Sequence, residues 1–297
     1  MRKCAFITCV LLNISVFSEE SGTIGLTSEG VGIEEASLGE VKSLAENCSS
    51  PVFSFLRSIE IVEENSGLEG IDCIYVINLK ERPERWNLLQ EQFLEQNLRV
   101  NRVDAINGWK IPIEQRNELV DPRLNPSRDL MLTGGEIGCS LSHLSIYQDA
   151  LERGFELIWV CEDDIRFNAK VDRVSSLVEE LFWLDPDWDL LYTEYTMFGA
   201  TTQRHRPEQK PYDVFNQHVS DTLVRTHGRF GTHSMILSRK GLEKIMTYFC
   251  NRYFWAAIDV DLHYMGLREY SIKQGLTGIQ SRFSSDTQPS SALRNGK

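Results

Sequence analysis

The chain has 297 residues, and 43 acids against 31 bases leave it a formal charge of −12. That balance repels polyanions and weighs against a nucleic-acid partner, whereas 41% hydrophobic and 10% aromatic residues supply a core and exclude global disorder. No run of eighteen apolar residues occurs, which excludes a multispan membrane protein.

Residues 1–18 open on Arg2 and Lys3 and continue mostly apolar from Ala5 to Phe17, broken by Thr8, Asn13 and Ser15. The pattern suits a signal peptide, with Val16 and Ser18 as small cleavage positions, or a hydrophobic segment that is retained. Cleavage implies a secretory lumen or export. Retention implies a cytoplasmic or membrane-associated chain with peripheral membrane contact. Residues 19–70 hold eleven acids and two bases, a net −9 of the total −12. With their Gly and Ser content they read as an acidic, flexible linker with a short helix near Val52–Ile61. Asn47-Cys48-Ser49 matches a glycosylation acceptor.

From residue 71 to 297 strands and helices alternate. Cys73 to Ile77 is a nearly continuous apolar run, as expected of a strand covered on both faces. Pro83 suits the first turn of a helix carrying Trp86, Leu89 and Phe93, and Val100 to Ala105 returns to the sheet. Thr133 with Glu136 forms a capping box opening a helix that carries Ile137, Leu141, Leu144 and Leu151. Phe155 to Cys161 is a second buried strand. Val174, Leu177, Val178 and Leu181 mark a helix ending before Pro186. Leu190–Tyr192 and Ser234–Leu237 read as further strands, the latter followed by a helix with Leu242, Ile245 and Phe249. This alternation predicts an α/β fold with a mainly parallel central sheet. The seven cysteines (4, 9, 48, 73, 139, 161, 250) include no C-x-x-C pair, so spacing indicates neither a zinc site nor a disulfide framework.

Glu162-Asp163-Asp164 directly follows the run Leu157–Cys161. Ligands of open α/β sheets collect just beyond the carboxyl ends of strands. Three carboxylates crowded there repel one another unless a cation neutralises them, and oxygen ligands suit Mg(II) or Mn(II). Extended backbone puts Glu162 and Asp164 on one side and Asp163 on the other. The bland alternative is a solvated acidic turn. Asp259-Val260-Asp261 offers a base, a hydroxyl acceptor or a further metal ligand, against a helix cap plus a surface acid. Asp286 lies in a polar tail. His143, four residues after Cys139, reads as a hydrogen-bonded structural residue, with Ser142 fixing the helix to its neighbour. Arg82 and Arg85 open the first helix and suit phosphate pairing or base stacking. P-loop, dinucleotide, serine-hydrolase and zinc-protease motifs are absent.

Taken in order, these segments resemble glycosyltransferase family 25, the lipopolysaccharide and procollagen galactosyltransferase-like family. The resemblance runs through Ile77-Asn78-Leu79 with Arg82 and Arg85, then Val103 to Gly108, Gly135 to His143, Val160 to Asp164, and Gly231 to Gly241 with Ile258-Asp259. It covers roughly residues 71–290, making 71–297 a glycosyltransferase domain. It implies a GT-A-type Rossmann-like fold and a UDP-sugar donor, most often UDP-galactose. It places Asn78, Arg82, Arg85, Asp104, Ser142 and His143 about the nucleotide. Glu162, Asp163 and Asp164 would hold Mn(II) or Mg(II), and Asp259 or Asp261 would be the base of an inverting transfer to a glycan, lipopolysaccharide or glycoprotein hydroxyl. Two competing readings are a non-catalytic carbohydrate- or protein-binding module on the same scaffold and a metal-dependent phosphohydrolase. Acceptor choice would rest on loops such as Thr193–Val219.

Overall fold

The computed structural model describes residues 48–63, 65–124, 132–195, 214–280, 282–283 and 285–287. The segment 1–18, the acidic stretch 19–47 with its Asn47 acceptor, and most of the 193–219 loop lie outside the described residues.

Short apolar runs build the centre of the sheet. In β1 (Cys73–Asn78) every residue is buried, and alternate side chains feed two separate cores. Cys73, Tyr75 and Ile77 join one with the long helix, while Ile74 and Val76 join the other. Coverage on both faces is why the run is continuously apolar rather than alternating. Beside β1 lies the four-residue β2 (Asn101–Asp104). On its other flank is β3 (Leu157–Glu162), where Ile158 and Val160 face the first core and Trp159 and Cys161 the second. The remaining strands are β4 (Ile165–Phe167), β5 (Leu190–Tyr192), β6 (Phe215–His218), β7 (Leu223–His227), β8 (Ser234–Ser238), β9 (Glu269–Ile272) and β10 (Thr277–Ile279).

An eight-stranded sheet runs β2-β1-β3-β8-β5-β9-β7-β6, and β4 pairs with β10 apart from it. Pairings β1–β2, β1–β3 and β5–β9 are parallel; β3–β8, β5–β8, β7–β9 and β6–β7 are antiparallel. Six of the eight strands therefore point one way, with only β7 and β8 reversed. The α/β expectation of a mainly parallel sheet, of the GT-A-type Rossmann-like kind, agrees with this arrangement.

Helices cover both faces. Pro83 opens α1 (Pro83–Glu95), which buries Arg85, Leu89 and Phe93 at four-residue spacing. After the short α2 (Ile113–Leu119) comes α3 (Gly134–Glu152), closed at its start by the expected capping box of Thr133 and Glu136. This helix is buried on nearly every side rather than one, because small residues let backbone approach it. A Cβ on Gly138 would stand 2.2 Å from Ile106 O, so only glycine fits that contact. Three more helices follow: α4 (Val174–Leu184), α5 (Arg239–Cys250) and α6 (Ile258–Leu262). Among the described residues no helix is long and apolar enough to cross a membrane.

Two expectations need correction. Residues 48–63, expected to belong to a flexible linker reaching residue 70, pack onto the domain. Val52 is fully buried and Ile59 nearly so, Arg57 N–H donates to Ser145 Oγ at 3.0 Å, and Val62 N–H donates to Asn101 Oδ1 at 2.7 Å. The spaced apolar residues Val52, Phe53, Phe55, Leu56, Ile59 and Ile61 belong to or pack against the first core, outweighing an acidic average composition. Second, Cys48 forms a disulfide with Cys250, 202 residues away. Sequence spacing cannot reveal a pair brought together by the fold.

Candidate active site

Glu162 closes β3 at the carboxyl edge of the sheet, and its backbone N–H donates to His233 O at 2.8 Å. The loop before β8 is thereby laid beside the acidic turn. Glu162 Oε1 accepts from Thr232 Oγ1 at 2.7 Å and lies 3.3 Å from His143 Nε2. Asp164 and His233 complete the group: one ligand atom from each of Glu162, Asp164 and His233 lies within 4.8 Å of the others. Gly231 makes this approach feasible, since it has φ +89° and a Cβ there would meet the His233 ring at 2.4 Å.

The electrostatics of the group are strained. Burial and the charge of Glu162 push Asp164 up to about 6. Burial raises Glu162 as well, but the bonds from His143 and Thr232 and the charge of His233 outweigh it and hold Glu162 below the usual carboxylate range. Against its own burial, His233 is raised to about 9 by Glu194, Glu162 and Asp164. Asp164 Oδ1 is buried with no hydrogen-bond partner. An orphaned carboxylate oxygen beside a second carboxylate fits a divalent cation, with the His233 imidazole joining as a ligand once the metal displaces its proton. A neighbouring group, Cys139 with His143 and Glu162, is less suited, because burial and the Glu162 charge raise the Cys139 thiol far above its ordinary value.

Two cavities share this wall. The larger, about 520 Å³, is lined by Glu162, Asp164, Glu194, Phe230, His233 and Asp259. Asp259 Oδ2 accepts from Gly231 N–H at 2.9 Å and Oδ1 from Val260 N–H at 2.9 Å; burial still leaves its carboxyl raised. The smaller cavity, about 80 Å³, is lined by Ile77, Arg85, Asn107, Trp109, Ser142, Glu162, Asp164 and Asp286. Here Arg85 Nη2 stands 3.1 Å from Asp286 Oδ2, and Arg82 Nε donates to the same oxygen at 3.0 Å. The carboxylate of Asp286 thus sits on the arginine pair expected to hold phosphate.

Other expected site residues are placed differently. Asp163, expected with the metal ligands, lies outside that group: Oδ1 accepts from Arg85 at 2.9 Å and Oδ2 from Asn78 Nδ2 at 2.7 Å. Its neighbours Glu162 and Asp164 face the opposite way, as alternation along the chain requires. Asn78 is itself buried and committed, its Oδ1 accepting from Arg102 Nε at 3.0 Å. Ser142 accepts from Ile106 N–H at 2.8 Å and supports the cavity wall, while His143 is fully buried behind Glu162. Asp104 pairs with Lys80 at 2.8 Å on the surface and lines neither of these cavities, although Ala105 and Ile106 after it line the smaller one. Asp261, one of two expected bases, is fully buried and accepts from Trp255 N–H at 3.1 Å, which makes it a support for the turn before α6. His233, Thr232, Glu194 and Asp286 were not expected as site residues. The Gly231–Thr232–His233 stretch carried a signal as part of the family resemblance, and Asp286 a weaker one as an acid in a polar tail.

A family model described as Glycosyltransferase family 25 (LPS biosynthesis protein) matches residues 71–263. Procollagen galactosyltransferase 2 of Mus musculus is 29% identical over 193 residues, covering 63% of this chain and 29% of that protein. Procollagen galactosyltransferase 1-A of Xenopus laevis is 28% identical over 228 residues, 75% of this chain and 36% of its own. Inactive glycosyltransferase 25 family member 3 of Homo sapiens is 34% identical over 128 residues, 41% and 22% respectively. The chain thus spans about a third or less of the length of these relatives. Among solved structures, mannose-1-phosphate geranyltransferase from Thermus thermophilus aligns over 69% of this chain and 74% of its own at 11% identity, with a TM-score of 0.34; a likeness at that score decides nothing about function.

Proposed function

The chain belongs to glycosyltransferase family 25, and from that premise we propose that it transfers a hexose with inversion, galactose from UDP-galactose being the first donor to test. The acceptor is a hydroxyl of a glycan, a lipopolysaccharide or a glycoprotein. One observation carries the reading: Glu162 and Asp164 stand on the wall shared by two cavities. A donor on one side and an acceptor on the other would meet at these acids.

Each cavity offers suitable groups. Trp109, 40% exposed, presents an aromatic face to the smaller one. Arg82 and Arg85 would take the donor phosphates in exchange for the Asp286 carboxylate. Mn(II) or Mg(II), held by Glu162, Asp164 and His233, would supply Lewis-acid stabilisation of the departing diphosphate. Across the wall, Asp259 is raised by burial and lies at the acceptor side, so a carboxylate oxygen of Asp259 takes the proton of the incoming hydroxyl. Backbone N–H groups of Gly231 and Val260 hold that carboxylate in place. Phe230, 39% exposed, gives the acceptor an apolar face to pack on.

The Cys48–Cys250 disulfide supports an oxidising compartment, such as a secretory lumen, over the cytoplasm. A second reading, a non-catalytic binding module, is favoured by the relative whose name calls it inactive. UDP release from UDP-galactose, with and without a collagen-type or oligosaccharide acceptor and with and without chelator, separates them. Acceptor-dependent, chelator-sensitive release supports transfer. Release at background with every sugar nucleotide and acceptor tried overturns it in favour of the binding module.

A further inference from the structure

A second cluster of metal-ligating side chains lies outside the two acid-walled cavities. His227 ends β7, Glu269 begins β9 and His263 directly follows α6. β7 and β9 are paired with Thr226 opposite Glu269, which brings His227 to the start of β9. His227 Nδ1 lies 2.9 Å from Glu269 Oε1, and the His227 and His263 rings meet edge to face with centroids 5.4 Å apart. One ligand atom from each of the three lies within 4.8 Å of the others. The Glu269 side chain is fully buried and His263 is 3% exposed. Taking an ionised carboxylate out of water is expensive unless a cation or several hydrogen bonds compensate it.

We propose that His227, His263 and Glu269 form a second metal centre, one that takes Zn(II). Two imidazoles and one carboxylate are borderline donors of the kind zinc prefers, whereas the acid group at the cavity wall suits harder ions. At zinc bond lengths of about 2.0–2.2 Å, tetrahedral ligands stand about 3.3 Å apart. The His227–Glu269 separation is already close to that, His263 offers a ligand atom within 4.8 Å of both, and water would fill the fourth position. Tyr192 OH donates to Glu269 Oε2 at 3.3 Å, the kind of outer partner that orients a ligating carboxylate. Phe215 stacks on the His227 ring at 5.9 Å and shields it.

The consequence reaches the cavities. A zinc ion here ties together the ends of β7, α6 and the start of β9. Between His227 and β8 runs the loop that carries Thr232 and His233, and α6 carries Asp259. The Arg229 guanidinium lies 3.9 Å over the Tyr192 ring and pairs with Glu194, which stands 3.5 Å from His233. The centre is therefore a staple beneath the catalytic loops and takes no part in sugar transfer itself.

Metal titration of the full chain tests this. In a background of E162Q with D164N, which disables the acid group, chelator-treated protein should bind one equivalent of Zn(II) and one of Co(II). The cobalt form should absorb in the visible with the intensity of tetrahedral coordination, and zinc should raise Tm. Adding H263Q or H227Q should weaken zinc binding by at least ~10-fold and remove the visible band. Should H263Q not fold, H227Q, whose side chain is 15% exposed, carries the comparison. Should the double variant not fold, the native chain is compared with H227Q, which should lose one zinc equivalent. No zinc or cobalt uptake by folded E162Q/D164N protein, or a band and zinc content unchanged by H227Q, overturns the proposal. Transfer activity lost in the double variant bears on the acid group alone, so the two readings fail separately.

Discussion

The two ligand clusters are built on opposite plans. At the cavity wall, Glu162, Asp164 and His233 face open space, and Asp164 keeps a buried oxygen without a partner. Beneath the loops, His227, His263 and Glu269 face one another, and Glu269 is closed off from solvent. A catalytic metal site keeps a position open for substrate, and the first cluster, on a cavity wall, has room for one. Its two carboxylates are only partly offset by His233, which they and Glu194 raise to about 9. The three side chains of the second cluster face inward and would leave a bound zinc a fourth position for water.

The largest effect should come from breaking the open cluster. D164N removes one of its ligands and should lower kcat by about 10²–10³-fold, the scale for losing one group that stabilises developing charge. Its Tm should hold or rise, because the substitution removes a carboxylate that burial and Glu162 already disfavour. Unchanged turnover would show that the open cluster serves no catalysis. A sharper contrast uses two neighbouring acids. D259N should lower kcat by about 10²-fold with donor affinity unchanged, and with some loss of stability, since an amide leaves either the Gly231 or the Val260 N–H without its acceptor. D261N should lower stability by about 1–3 kcal/mol in denaturant titration, since it disturbs the acceptor for the Trp255 and Ala256 N–H groups, and should leave kcat of the folded protein near its native value. Turnover kept by D259N, or lowered as far by D261N, would erase the distinction drawn between base and support. The smallest effect concerns the smaller cavity. D286A frees Arg82 and Arg85 for an anion, and UDP should bind roughly threefold more tightly by calorimetry, a modest gain because Arg82 is over a third exposed. Weaker binding would make Asp286 part of the donor site.

Much of the scaffold was legible because its signals are local. β1, β3 and β8 are short apolar runs covered on both faces, and the Thr133–Glu136 capping box declares the start of α3 within four residues. β6 was not legible: all four of its residues are exposed, so no hydrophobic pattern marks it. β9 inserts between β5 and β7 from far along the chain, a placement no window of sequence contains. The site divides in the same way. Glu162 and Asp164 announced themselves by following a buried strand, but His233 enters only because β8 runs antiparallel beside β3. Asp286, read as part of a polar tail, meets Arg82 from 204 residues away.

Residue types and their short-range spacing settled the central strands, the longer helices and which acids are candidates for chemistry. Which of those acids face a cavity, and which become internal supports, was decided by the fold. Asp163 and Asp164 are adjacent and chemically identical, and both reach the smaller cavity, yet one is ion-paired with Arg85 and hydrogen-bonded by Asn78 while the other keeps an unpartnered oxygen. A carboxylate's role depends on the dielectric and the charges within a few ångströms of it, and those are contributed by residues distant in the chain.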